Sequence, residues 1–363
     1  MRGTTPLRLL LVGAGSMGSL HARVIAQSGD CVLAGVVDPD EPAGRALAER
    51  HGAPWTADLA GLDGLAGPAG VDAVIVAAPT EHHHRLALDV LSAGKPLLLE
   101  KPVCDSLAAT REVLAASAAR GVPLMCGLLE RYNPAILTGF ALIRQPVHVS
   151  AVRHGPYAPR IRTGVAWDLL VHDVDLVVRA FGGALPVQTR GSTGRFHPDS
   201  AAGAEDVAEA VLTFPDGALG TVSASRLGQR KVRSLEIAEL DRLIEIDLLR
   251  RDVTVYRHVS HEAACADGRG YRQQTVIEIP ELVTAAEPLA TQLARFADLV
   301  RGRADPDAER DSILPAHRLV DQVLAQSRAG VPHQAGPASE AEIEAAAEAA
   351  AMAMATAATT QRG

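Results

Sequence analysis

Aromatic side chains are scarce: Phe, Trp and Tyr make up only 3% of the 363 residues. A module that holds carbohydrate by stacking sugar faces on rings therefore has little to build with. Cysteine is thin as well. Cys31, Cys104, Cys126 and Cys265 lie far apart and form no CxxC pair, which excludes a disulfide framework and the thiolate zinc patterns and points to a reducing, cytoplasmic setting. No apolar run reaches the length of a membrane span, and the first, residues 9–12, stops at Gly13, too short for a signal sequence. Excess positive charge is also missing. With 35 Lys and Arg against 43 Asp and Glu, the formal charge is −8. Neither nucleic acid nor an anionic membrane is an expected partner, although a local basic pocket is compatible with that balance.

What the chain has in quantity is apolar residue, 47%, enough to fill a core without staples, in a length that suggests two domains. Residues 7–12 form a short apolar run of the kind buried in a parallel sheet, and Gly13-Ala14-Gly15-Ser16-Met17-Gly18 follows at once, opening a helix over 19–28. In a strand–GxGxxG–helix unit the first glycine permits the tight turn, the second lets backbone approach a pyrophosphate, and the third lets helix pack on strand. A second strand, 31–37, ends in Asp38, placed to accept from ribose hydroxyls and to repel a 2′-phosphate. That acid favours NAD over NADP. Helices at 42–51, 82–93 and 107–120 alternate with strands at 71–78, 96–99 and 122–126, which predicts a right-handed, doubly wound parallel sheet. The carboxyl ends of its strands carry Thr80, Lys101, Glu130 and Arg131 toward the ligand crevice. His82-His83-His84 is no metal cluster, because consecutive helix residues point about 100° apart; one of them, His83, is the candidate to face the crevice.

Residues 164–183 read as a helix with two stripes. Trp167, Val171, Val174, Val178 and Phe181 form the apolar one; Asp168, His172, Asp175 and Arg179 form the polar one. Asp168 and His172 lie one turn apart and can work on one ligand, while Asp175 and Arg179 are expected to pair with each other. Beyond residue 146 the texture turns β-rich, with strands at 147–152, 208–214, 218–225, 234–238, 243–248 and 252–258 and a hairpin turn at Pro215-Asp216-Gly217. This second part is expected to be α+β with a large, mostly antiparallel sheet, followed by amphipathic helices at 287–302 and 311–328. Residues 331–363 make an Ala- and Glu-rich tail. The domains are therefore 1–128 and 129–330 plus that tail. Two basic clusters could serve a phosphorylated substrate or mere salt bridges: Arg153, His154, Arg160 and Arg162, then Arg226, Arg230, Lys231 and Arg233.

At Glu100-Lys101-Pro102, taken in order with GAGSMG, Asp38, Ala78-Pro79-Thr80 and the DLLVHDVD segment, the chain resembles the Gfo/Idh/MocA family of NAD(P)-dependent sugar oxidoreductases. Glu130-Arg131-Tyr132-Asn133-Pro134, the run from Gln229 to Arg233 and Glu287-Pro288-Leu289 are similar to a subgroup containing UDP-N-acetylglucosamine 3-dehydrogenases and dehydrogenases of aminoglycoside biosynthesis. The resemblance implies that Lys101 reaches nicotinamide and substrate, that His172 is the acid/base, and that Asp168 binds substrate hydroxyls. It implies cofactor contacts from Gly13, Gly15, Ser16, Met17, Gly18, Asp38, Thr80, His83, Glu100 and Lys101, and substrate contacts from Arg131, Tyr132 and Arg162 beside Asp168. It also implies helices 287–330 packed back on the first domain and a homodimer or homotetramer built through the second sheet. The expected activity is NAD-dependent oxidation of a secondary hydroxyl, at C3, of a sugar or aminosugar, free, nucleotide-linked or within an aminoglycoside. Two rivals make different predictions. An NADPH-linked ketone or imine reductase needs NADPH affinity, against which Asp38 speaks. A nucleotide-binding sensor needs no turnover, against which Lys101, Asp168 and His172 speak.

Overall fold

The computed structural model describes residues 5–60, 70–159, 161–265 and 268–330, the side chains of 260–272 and 329–330 excepted. The tail 331–363 and Arg160 lie outside the described residues. Six short strands, β1 (Leu7–Val12), β2 (Cys31–Val37), β3 (Trp55–Thr56), β4 (Ala73–Val76), β5 (Leu97–Leu99) and β6 (Leu124–Cys126), form a parallel sheet in the order β3-β2-β1-β4-β5-β6. Four helices alternate with them: α1 (Ser16–Gln27), α2 (Glu41–Arg50), α3 (His83–Ser92) and α4 (Leu107–Arg120). The strand order reverses between β1 and β4, which opens a crevice at their carboxyl ends. Because side chains alternate along a strand, Leu9 and Leu11 enter one core while Leu10 and Val12 enter another. Both faces of the sheet are thus covered, and β1, β4 and β5 are nearly pure Leu, Val and Ile.

A second, eight-stranded sheet follows, in the order β14-β13-β12-β11-β7-β10-β9-β8. Its strands are β7 (His148–His154), β8 (Gln188–Gly194), β9 (Val207–Thr213), β10 (Leu219–Ser225), β11 (Val232–Ala238), β12 (Leu243–Asp247), β13 (Asp252–Cys265) and β14 (Gly268–Glu278). All neighbours are antiparallel except β7 and β10. Val149, Ala151 and Arg153 of β7 point inward with Leu235 and Ile237 of β11, and α5 (Pro134–Leu142) and α6 (Val171–Ala180) cover that face. Gly139 of α5 sits so close to β12 that an added Cβ would lie 2.4 Å from Ile246, so glycine there is a packing requirement. Helix α7 (Pro288–Val300) joins the first sheet's core through Leu289, Leu293 and Phe296, and α9 (Leu314–Gly330) the other through Leu319, Val320 and Val323. The described residues through Gln326 pack as one compact unit.

Three differences from the sequence expectation have physical causes. The helix expected over 164–183 opens as a π-helical turn, Ala166–Leu170, and only then becomes α6. The helix expected over 311–328 is α9, starting at Leu314, and it is preceded by a separate short helix, α8 (Pro306–Asp311), which Asp305 caps by accepting from Ala308 N–H. Strand β8, QTRGSTG, has no apolar alternation and is held by pairing with β9.

Candidate active site

The crevice at the strand-order reversal is a cavity of about 700 Å³ lined by Gly13, Gly15, Met17, Asp38, Pro79 and neighbours. The three motif glycines are required for different reasons. Gly13 has φ +104°, and a Cβ on it would lie 2.6 Å from the Ala77 carbonyl oxygen; one on Gly18 would lie 1.9 Å from that of Gly13. Those two are demanded by the protein itself. A Cβ on Gly15 would meet nothing within 4 Å, so its absence leaves room for a ligand. Gly15 is also the N-cap of α1 and supplies no side-chain acceptor. The first-turn N–H groups are therefore available to an anion beside Ser16 and Met17. The residues present fit a dinucleotide pyrophosphate.

Asp38 stands at the end of β2 with one carboxylate oxygen accepting from Ala14 N–H at 2.6 Å and the other from Asp40 N–H at 2.8 Å. Asp40 and Asp58 line the same cavity. Arg85 lines it too, so the NAD preference rests on Asp38, the acid at the strand end where ribose hydroxyls would lie.

Lys101 follows β5 and reaches across to the helix from the second part of the chain. Its Nζ donates to both the carbonyl oxygen and Oδ1 of Asp168, each at 2.8 Å. Asp168 lies within the π turn, whose first N–H groups are engaged: Ala166 N–H donates to the Glu205 carboxylate at 2.7 Å. A π turn widens the helix where Asp168 projects, a placement that recurs at functional sites. Asp168 Oδ2 also lies 3.6 Å from Arg226, whose guanidinium donates to the Thr163 carbonyl at 2.6 Å. His172 is partly buried. Burial first, then the positive charges of Lys101, Arg153 and Arg233, push its imidazole well below the ordinary histidine value. It is thus neutral at physiological pH, the state a proton acceptor needs. Its Nδ1 is buried with no hydrogen-bond partner among the described residues.

Several sequence-predicted residues are placed elsewhere. Arg131, expected to meet substrate, is buried and spends its guanidinium on Asp175, at 2.6 and 2.8 Å, and on Ser312. Asp175 therefore does not pair with Arg179, which is exposed. Tyr132, also expected at the substrate, packs on the core containing Leu293 and Phe296, where burial raises its phenol pKa. His83 is buried with Nδ1 2.8 Å from the Pro102 carbonyl oxygen and Nε2 2.9 Å from that of Ala78. It ties the ends of β4 and β5 together and does not face the crevice; His82 lines it instead. Glu100 is buried beneath the site, 2.8 Å from His21 Nε2, and accepts from Lys101 N–H at 3.3 Å. Thr80 opens a 3₁₀ turn just beyond β4, next to the crevice-lining Pro79. Arg162 is exposed and lines a separate cavity of about 430 Å³ with Asp199. Sequence reasoning missed His21, a histidine on an otherwise ordinary helix face, and the buried pair of Arg153 with Asp173, at 2.7 and 2.9 Å.

A dinucleotide crevice in the first sheet, with Lys101 beyond β5 meeting Asp168 and His172 of the helix that opens the second part, defines a nicotinamide-dependent dehydrogenase. Residues 7–128 match the oxidoreductase family with an NAD-binding Rossmann fold, residues 143–238 match the Gfo/Idh/MocA C-terminal domain, and the chain belongs to the Gfo/Idh/MocA oxidoreductase family. UDP-N-acetylglucosamine 3-dehydrogenase of Acidithiobacillus ferrooxidans is 30% identical over 256 residues, 69% of this chain and 77% of the relative. Its solved structure superposes with a TM-score of 0.75 at 25% identity, covering 90% of this chain and 99% of that one. GenD2 from gentamicin A biosynthesis, solved in complex with NAD, also gives a TM-score of 0.75 at 25% identity, covering 92% and 98%. Inositol 2-dehydrogenase of Rhizobium meliloti is 27% identical over 237 residues, 61% of this chain and 69% of the relative. The protein is an NAD-dependent oxidoreductase of the sugar-dehydrogenase type, acting on CH–OH. No described helix is long and apolar enough to cross a membrane.

Proposed function

We propose that the protein oxidises a secondary hydroxyl, at C3, of an aminosugar, whether nucleotide-linked or part of an aminoglycoside. The observation that carries this is the meeting of Lys101 Nζ with Asp168 at 2.8 Å beside a neutral His172. NAD held by residues 13–18 and Asp38 supplies the hydride acceptor. His172, a neutral imidazole with a lone pair free, takes the proton of the reacting hydroxyl. The ammonium of Lys101 stabilises negative charge developing on that oxygen. Asp168 holds Lys101 in place and accepts from a neighbouring sugar hydroxyl, which fixes the reacting carbon. Glu100, gripped by His21, positions Lys101 from below.

Residues 1–128 bind cofactor and 129–330 bind substrate and a second copy of the chain. The outer face of the second sheet, with Val211 and Leu219 exposed at 45% and 41%, supports a homodimer or homotetramer. The buried free thiols of Cys31, Cys104 and Cys126 suit the cytoplasm. The test is a turnover screen with NAD against UDP-aminosugars, free sugars, inositols and aminoglycosides, followed by NADH absorbance. NADH formation with an aminosugar supports the proposal; activity on inositols alone contradicts it.

A further inference from the structure

Three arginines stand on the inner face of the second sheet at the end nearest Asp168 and His172. Arg153 is the inward residue near the end of β7, Arg233 is its register partner on β11, and Arg226 directly follows β10, which pairs with β7 on the other side. Their guanidinium groups are in different states. Arg153 is buried and saturated, with Asp173 bidentate and Glu130 Oε1 at 2.9 Å. Arg226 is buried between the Thr163 carbonyl and Asp168. Arg233 has 40% of its side chain exposed, and its one ion pair among the described residues is Glu130 Oε1 at 3.4 Å, an oxygen Arg153 already holds. Of its five N–H donors, most are unused.

Resting on the sugar-dehydrogenase reading above, we infer that Arg233 recognises an anionic group, a phosphate ester or a carboxylate, carried by the substrate close to the carbon that His172 serves. The planar fork of an arginine matches the paired oxygens of either anion. Arg230 and Lys231, exposed on the segment joining Arg226 to Arg233, extend the same sign outward. Lys101 is paired with Asp168 and Arg153 with Asp173 and Glu130, so the least compensated charge of the group is that of Arg233. A polycationic aminoglycoside would have to enter against it, so the arrangement selects an anionic sugar over a cationic one.

The test measures dissociation constants by calorimetry, on full-length protein saturated with NAD, for N-acetylglucosamine, N-acetylglucosamine 1-phosphate, UDP-N-acetylglucosamine, glucuronate and an aminoglycoside, with NADH formation read in the same samples. In the wild type at least one anionic sugar binds about ten- to hundredfold more tightly than the neutral one, the range of a charge-assisted contact. Which anion does so separates phosphate from carboxylate. In R233Q the ratio of neutral to anionic dissociation constants falls toward one, and in R233K it is intermediate. Equal affinity of neutral and anionic sugars in the wild type, tighter binding of the aminoglycoside, or a ratio unchanged in both variants would overturn the inference. Binding without any NADH formation would instead count against the proposed dehydrogenase reaction and leave the affinity ratio to decide the role of Arg233.

Discussion

Asp168 and Asp175 sit seven residues apart on one polar stripe, and each meets a cation carried just beyond a strand of the first sheet, Lys101 after β5 and Arg131 after β6. Their circumstances differ. The Asp168–Lys101 pair keeps 18% and 21% of its side-chain surface exposed; the Asp175–Arg131 pair keeps 5% and 6%. Arg131 is further consumed by Ser312 between α8 and α9. An exposed pair can exchange one partner for a substrate hydroxyl. A buried pair cannot, since removing either member strands a charge in low dielectric. Solvent access separates the proposed reactive site at one end of the helix from a structural pin at the other.

The largest expected effect lies at the exposed end. H172A and K101A should each lower kcat for sugar oxidation by about 10²- to 10⁴-fold, with NAD affinity and thermal midpoint held near wild type in a fluorescence titration and a melting scan. If both variants kept wild-type turnover, the reactive end of the comparison would be misassigned. At the buried end the expected loss is in stability. R131M should cost about 3–5 kcal/mol in urea unfolding, and D168N less, because Lys101 keeps access to water. An R131M cost equal to that of D168N would erase the distinction.

A smaller effect concerns acid. His317, fully buried beside this pin, donates from Nδ1 to the Ile313 carbonyl and accepts at Nε2 from Val103 N–H. Burial lowers its pKa from 6.5 to about 4, opposed by Asp175 and reinforced by Arg131. The unfolded chain then binds a proton that the native chain refuses, so stability is intact above pH 6.5 and falls as pH drops from there to about 4. The total is about 3 kcal/mol, and the depressed His172 adds a loss of the same sign. Urea unfolding from pH 7 to pH 4 should show this slope, shallower in H317Q; an unchanged slope would assign it to other groups. The smallest effect separates the motif glycines. G15A should weaken NAD binding by roughly tenfold, about 1.4 kcal/mol, at an unchanged thermal midpoint, whereas G18A should lower the midpoint through its contact with Gly13. A lowered midpoint in G15A would mean that this glycine serves the protein and not its ligand.

The cofactor half was legible because its signals are local. Gly13, Gly18 and Asp38 act through turns and strand ends that the sequence spells in order, and the apolar runs of β1, β2 and β4 are buried on both faces. Lys101, Asp168 and His172 were singled out through motif resemblance, and the structure brings Lys101 to Asp168. What sequence could not supply is the partner of each polar residue across long separations. Arg131 and Asp175 are 44 positions apart, and His21 and Glu100 are 79 apart; no periodicity links them. A helical stripe drawn at 3.6 residues per turn also misses the π turn around Asp168. In the second sheet, alternation revealed β7 and β9, but polar β8 and the long pairing of β13 with β14 depend on neighbours for their existence.

The central claim is that this fold removes the hydride from C3 of an aminosugar while His172 takes the hydroxyl proton. It is tested most directly by incubating wild type and H172A with NAD and N-acetylglucosamine substrates deuterated at C3, the UDP-linked sugar among them, and examining the NADH by mass spectrometry. The account predicts deuterium in the NADH from wild type and at least a hundredfold slower transfer in H172A. NADH formed without deuterium, or equal transfer by the two proteins, would contradict it.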